Sequence, residues 1–140
     1  MLQLTKRYPF SASHRLHSTK LDAAENVIQF GKCNNPHGHG HNYTLEVTFS
    51  GQTNSPAGMI ISRLKLDKIV ERYVLSEINH VDLNSAIEDF RHTVPTTENL
   101  ALLISDRLKK IWVQELGDTS PRLTRVRVAE TARNSCEVTD

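Results

Sequence analysis

The chain has 140 residues, 38% of them hydrophobic and 24% charged, with a formal net charge of +1. That length suits one compact domain spanning residues 1–140 rather than two. The near-balanced charge, with basic residues scattered rather than striped, excludes a general polyanion binder, so no nucleic-acid partner is expected. No apolar run reaches bilayer-spanning length, so no membrane partner is expected either. The chain carries two cysteines, Cys33 and Cys136, which make no disulfide framework. The absence of a secretory apolar segment before the first strand pattern makes the cytoplasm, with reduced thiols, the expected compartment.

Residues 2–13 alternate, with Leu4, Tyr8, Phe10 and Ala12 on one parity, which predicts a strand; His14 continues that parity at its end. Residues 21–30 are weakly patterned and predict a loop with a short helical turn. Residues 31–40 are rich in Gly, Asn and Pro and predict irregular backbone. From His39 the odd positions His39, His41, Tyr43, Leu45, Val47 and Phe49 form one face of a second strand, with Asn42, Thr44, Glu46 and Thr48 on the other. Residues 51–58 predict a loop, and 59–62 a short third strand.

A helix is expected over residues 63–78, with Leu66, Ile69, Val70, Tyr73 and Val74 along one side. Residues 79–95 form a long connection. Thr96-Thr97-Glu98-Asn99 opens a second helix, since a threonine hydroxyl can cap free N–H groups and Glu98 suits the positive end of the dipole. Leu100, Ile104, Leu108 and Trp112 lie on its apolar stripe. Residues 123–130 predict a strand with Val126, Val128 and Glu130 on one parity, followed by a hairpin turn at 132–134 and a last strand at 135–139. Grouped rather than alternating elements favour an α+β fold, an antiparallel sheet with two helices on one face.

The chemistry concentrates in the seven histidines, three of them within Pro36-His37-Gly38-His39-Gly40-His41. Side chains two apart on a strand project the same way, so His39 and His41 can reach one metal ion. Both sit on an apolar face, where an imidazole without a partner is costly. Gly40 between them removes bulk and lets the backbone approach whatever binds. Antiparallel pairing can set His14 beside them, and three neutral imidazoles with an open position make a catalytic zinc arrangement; the alternative is structural histidines. Cys33, in the adjacent loop, is a base or nucleophile if a cation lowers its pKa, and otherwise a fourth ligand or an inert thiol. His80 can shuttle protons or cap the negative end of the preceding helix. Glu130, a carboxylate on an apolar parity, needs a donor partner, from the protein or from a ligand. The helix dipole is reason enough for Glu98. Cys136 reads as packing.

The segments Phe10-Ser11-Ala12-Ser13-His14-Arg15-Leu16-His17 and Phe30-Gly31-Lys32-Cys33-Asn34-Asn35-Pro36-His37-Gly38-His39-Gly40-His41-Asn42-Tyr43, with Thr96-Thr97-Glu98-Asn99 and Glu130-Thr131 in order behind them, resemble the 6-pyruvoyl-tetrahydropterin synthase family over nearly the whole chain. The resemblance implies the tunnelling fold: a four-stranded antiparallel sheet with two helices on one face. In the family, three such sheets join into a barrel and two trimers stack into a homohexamer. It implies His14, His39 and His41 as ligands of Zn2+, Cys33 as general base, and His80, from a neighbouring subunit, as proton relay. It further implies Glu130 as the pterin anchor and Thr96, Thr97 and Glu98 as pocket lining.

The implied activity is a carbon–oxygen lyase acting on phosphates, which converts 7,8-dihydroneopterin triphosphate to 6-pyruvoyl-tetrahydropterin in tetrahydrobiopterin biosynthesis. Arg15, Lys20 and Lys32 are the basic groups nearest in sequence for the triphosphate. One position departs from the pattern: the family has aspartate before the relay histidine, and here Asn79 stands there. An amide can orient an imidazole but cannot stabilise its cation by charge; Asp82 is the nearest carboxylate in sequence. Two rival readings follow. One is 6-carboxytetrahydropterin synthase, on the queuosine route with release of acetaldehyde, although the five residues between Cys33 and His39 suit the pyruvoyl type better. The other is a pterin- or zinc-binding protein that has lost its relay.

Overall fold

The computed structural model describes residues 1–53, 56–119 and 121–140. Its frame is a long hairpin of β1 (Leu2–His14) and β2 (His39–Gly51), antiparallel in a register that pairs Phe10 with Tyr43, Ala12 with His41 and His14 with His39. After β2 come the helix α2, β3 (Val81–Asp82), the helix α3 (Thr97–Leu116), β4 (Arg122–Thr131) and β5 (Asn134–Thr139). The helix α2 occupies residues 63–78. It runs as α-helix over Arg63–Val70, widens to a π-turn at Glu71–Leu75 and closes at Ser76–Ile78. The strand order is β3-β1-β2-β4-β5.

Strand alternation decides where the core lies. Tyr8, Phe10, Leu45, Val47, Val126 and Val128 project from one sheet face and are buried. Leu66, Ile69 and Val74 of α2 meet them there, with Leu100, Ile104 and Leu108 of α3. Complete burial of a Leu, Ile or Val side chain contributes about 1.5–3 kcal/mol, so this shared face holds both long helices to the sheet. At its edge Tyr8 donates from its hydroxyl to Asp67 over 2.8 Å, and Lys6 donates to the same oxygen over 2.5 Å, tying α2 to β1. The other face is polar. There the buried carboxylate of Glu46 accepts from Arg125 over 2.8 Å and Arg127 over 2.6 Å.

The α+β class and the two long helices on one face are as the sequence implies. The strand count is corrected: the sheet has five strands, because Val81–Asp82 pairs in parallel with Ala12 and Ser13 at the edge of β1. Two contacts from the preceding turn dock it. Ser11 donates its N–H to Asn79 Oδ1 over 3.0 Å, and the His80 N–H donates to the Ser11 carbonyl over 2.6 Å. The expected third strand at 59–62 is absent; its last residue, Ser62, caps α2 instead by accepting from the Lys65 N–H. The loop expected at 51–58 lies partly outside the described residues.

Residues 21–30 hold more order than a loop. They form a full helix, α1 (Ala23–Phe30), fixed by a reciprocal capping box between Asp22 and Glu25.

Candidate active site and metal centre

Where β1 ends and β2 begins, the core face changes from hydrocarbon to imidazole. His14 is fully buried and its Nε2 lies 3.1 Å from His39 Nε2. The His41 ring meets both others edge-on, with centroids 5.1 Å from His14 and 4.8 Å from His39. One ring nitrogen from each of the three lies within 4.8 Å of the others. The hairpin register produces this convergence, since His14 pairs with His39, and His41 is two residues further along the same face.

The glycine that the geometry requires is Gly38 rather than Gly40. Gly38 has φ +72, and a side chain there would bring its Cβ to 3.0 Å from the His14 carbonyl oxygen. At Gly40 the same test gives an ordinary 3.6 Å contact with Ala12.

The ring roles follow from their partners. His14 donates its Nδ1–H to the Pro95 carbonyl oxygen over 2.8 Å, which leaves the Nε2 lone pair facing the other rings. Burial pushes the pKa of His14 below its ordinary value, against the opposing pull of that carbonyl and of Glu130. Burial lowers His41 likewise, again opposed by Glu130. Both rings are thus neutral at neutral pH, the form that binds a metal. His41 Nε2 is buried with no hydrogen-bond partner, an arrangement that costs free energy unless something fills the space in front of it. A divalent cation of zinc's preference for imidazole fits this donor set.

Glu130 closes the cluster from β4. One carboxylate oxygen is 3.5 Å from His41 Nε2 and the other 3.9 Å from His14 Nε2. The residue falls at a bulge: Ala129 pairs with Ser135 and Thr131 with Asn134, so Glu130 has no partner across the β4–β5 ladder. Glu130 is two residues beyond Val128, so strand alternation carries its carboxylate to the histidine face, and the bulge leaves it outside the β4–β5 pairing. Thr97, buried in the first turn of α3, donates its hydroxyl to Glu130 over 2.9 Å and receives Asn134 Nδ2 at 3.1 Å. Thr96 caps α3 by accepting from the Asn99 N–H. Asn134 carried no sequence signal, since a polar residue in a hairpin turn has an ordinary explanation. Glu98 is exposed in the first turn of α3, where the helix dipole accounts for it.

Cys33 is half-buried in the 3₁₀ turn Gly31–Asn34, and its carbonyl accepts from the Leu16 N–H over 2.9 Å. Burial raises the Tyr43 pKa, with the charges of Glu130 and Cys33 adding to the effect. Asn79 and His80 lie on the turn before β3, beside the edge of β1. His80 is exposed, adopts φ +62, and lines a shallow cavity of about 450 Å³ with Ser11, Ser13, His41, Asn42 and Asp82. Among the described residues neither has a hydrogen bond or ring contact with His14 or His39. Of the three basic candidates, Arg15 lines a cavity of about 500 Å³ together with His17, His37 and Arg91, whereas Lys20 and Lys32 do not.

Comparison with known proteins agrees with this architecture. The model of the family described as 6-pyruvoyl tetrahydropterin synthase matches residues 3–140. The 6-pyruvoyl tetrahydrobiopterin synthase of Drosophila melanogaster is 42% identical over 132 residues, covering 94% of this chain and 75% of the fly protein. The Homo sapiens protein of the same name is 40% identical over 132 residues, covering 94% and 87%. The solved structure of Caenorhabditis elegans 6-pyruvoyl tetrahydropterin synthase superposes with a TM-score of 0.88 at 37% identity, covering 99% of this chain and 95% of that one. The chain belongs to the 6-pyruvoyl tetrahydropterin synthase family.

Proposed function

We propose that this family member is a zinc-dependent 6-pyruvoyl-tetrahydropterin synthase, a carbon–oxygen lyase that converts 7,8-dihydroneopterin triphosphate to 6-pyruvoyl-tetrahydropterin with release of triphosphate. The observation that carries this reading is the convergence of His14, His39 and His41 beside the Thr97-bound carboxylate of Glu130, which sets a metal-binding donor set against an acceptor for a ring's N–H groups.

In this reading the three imidazoles hold Zn2+. When bound, the ion supplies Lewis acidity that makes the C–H bonds of the substrate's side chain easier to deprotonate. Glu130 accepts hydrogen bonds from the pterin 2-amino and N3 groups and so fixes where the side chain lies. Thr97 holds that carboxylate, and Thr96 and Glu98 belong to the same pocket wall. Cys33, as thiolate, takes a proton from the side chain, and His80 of a neighbouring subunit returns one. Arg15 faces the triphosphate, in a cavity that also holds His17, His37 and Arg91.

Residues 1–140 act as one domain, and three copies join their sheets into a barrel, two trimers making a homohexamer. The open sheet edge at β5 and the exposure of His80 support that assembly. The cytoplasm, where both thiols stay reduced, is the compartment. No helix is long and apolar enough to cross a membrane among the described residues.

The amide at position 79 favours a second reading, a pterin- or zinc-binding protein without turnover, because Asn79 stands where the family carries aspartate. Incubation with substrate and zinc, followed by mass analysis of products, separates the two: the enzyme yields triphosphate, and the binding protein yields none.

A further inference from the structure

Thr97 is 3% exposed, and its hydroxyl lies between two side chains, Glu130 Oε2 at 2.9 Å and Asn134 Nδ2 at 3.1 Å. A hydroxyl has one proton and two lone pairs, and an ionised carboxylate only accepts. We propose that Asn134 is a positioning residue for Glu130: by donating to Thr97 it commits the single hydroxyl proton to the carboxylate. The chain of donors then runs one way, from Asn134 through Thr97 to Glu130. With the amide turned around, its oxygen would compete with Glu130 for that proton and the carboxylate would lose its tether.

The local backbone explains why a tether is needed. Glu130 sits at the bulge and has no residue paired opposite it in either neighbouring strand, so no cross-strand neighbour fixes its orientation. Asn134, the first residue of β5, stands opposite Thr131, next to that bulge, and reaches back across it. With Oε2 held by Thr97, Oε1 stays on the histidine side, 3.5 Å from His41 Nε2. Both oxygens keep lone pairs for the adjacent N–H donors of a 2-amino-4-oxo ring. The residue is exposed, so trimming it leaves the buried core untouched. This inference rests on Glu130 being the ring anchor.

The test compares the zinc-loaded wild type with Asn134→Ala and Asn134→Asp, reading KM and kcat for 7,8-dihydroneopterin triphosphate, the binding of neopterin by fluorescence, and the thermal midpoint. Asn134→Ala is expected to weaken neopterin binding and raise KM by about three- to tenfold, as loss of one hydrogen bond does, while kcat and the thermal midpoint hold. Asn134→Asp, nearly the same size, is expected to be worse than Asn134→Ala by about tenfold, since it accepts where donation is needed and adds a negative charge near Glu130. Two variants that bind neopterin like the wild type would overturn the inference. So would equal losses in both variants that track a lowered thermal midpoint. A wild type that binds no neopterin would overturn the anchor reading itself, and this inference with it.

Discussion

The carbonyl oxygen of Pro95 lies 2.8 Å from Nδ1 of His14, joining the residue just before the cap of α3 to the end of β1. A backbone carbonyl can only accept, so it fixes the tautomer of a fully buried ring and points the other nitrogen at His39 and His41. The same helix start presents Thr97 to Glu130. One turn of backbone thus orients both the histidine cluster and the carboxylate of Glu130.

Removing one imidazole is the plainest test of the metal centre. His39→Ala is expected to lose zinc and activity together, with turnover down at least about a hundredfold, since even outer-shell partners of a metal are worth 10–100-fold. Elemental analysis alongside the rate decides it, and stoichiometric zinc retained in the variant would refute the ligand assignment.

Cys33→Ala separates a base from a ligand. The variant is expected to keep its zinc and to lose about 10²–10⁴-fold in turnover, the usual contribution of a positioned proton acceptor. If zinc content falls in parallel, the thiol is a fourth ligand.

Asn79 carries two separable effects. Its Oδ1 accepts the Ser11 N–H, so Asn79→Ala is expected to lower stability by about 1 kcal/mol in urea unfolding, whereas Asn79→Asp keeps an acceptor there and holds stability. A carboxylate can also stabilise the imidazolium of His80, so Asn79→Asp is expected to raise turnover by about tenfold or more, by analogy with the cost of the reverse exchange in a Ser-His-Asp triad. Unchanged turnover would show that the carboxylate is dispensable here.

Acid stability provides a check on the tie between α2 and β1. The hydrogen bond from Lys6 holds the Asp67 carboxyl below its ordinary value of 3.8, with the Tyr8 hydroxyl and the charges of Lys6 and Arg63 adding to the effect. A depressed folded pKa gives stability that is present above 3.8 and lost as pH falls through the lower folded value. Metal-free wild type is expected to be more stable than metal-free Asp67→Asn at pH 5, with the difference shrinking below pH 3.8. Urea midpoints across that range measure it, and a constant difference would mean that the carboxylate's charge does not matter.

Period-two alternation explains why so much of this frame was readable from residues alone. His14, His39 and His41 continue the buried parities of β1 and β2, so the face they share follows once the strands are placed. Glu130 continues the parity of Val126 and Val128, although the bulge that leaves it unpaired with β5 leaves no mark in composition. The short strand at Val81–Asp82 was not legible because two residues make no pattern; it exists through the Asn79 and His80 contacts to Ser11. The stretch at 59–62 misled in the opposite direction, since its apolar run is core lining before a cap: Ile61 is buried and Ser62 begins the helix. The capping box that makes α1 a full helix was present as Asp22 and Glu25, three apart, and outweighs the weak apolar pattern behind it.

The most direct measurement is the product mixture formed from 7,8-dihydroneopterin triphosphate by the zinc-loaded protein, read by mass. Elimination at a three-histidine zinc site should yield 6-pyruvoyl-tetrahydropterin and inorganic triphosphate in equal amounts, and neither after chelation. Acetaldehyde with a 6-carboxy product, or substrate returned intact by a zinc-replete protein, would contradict it.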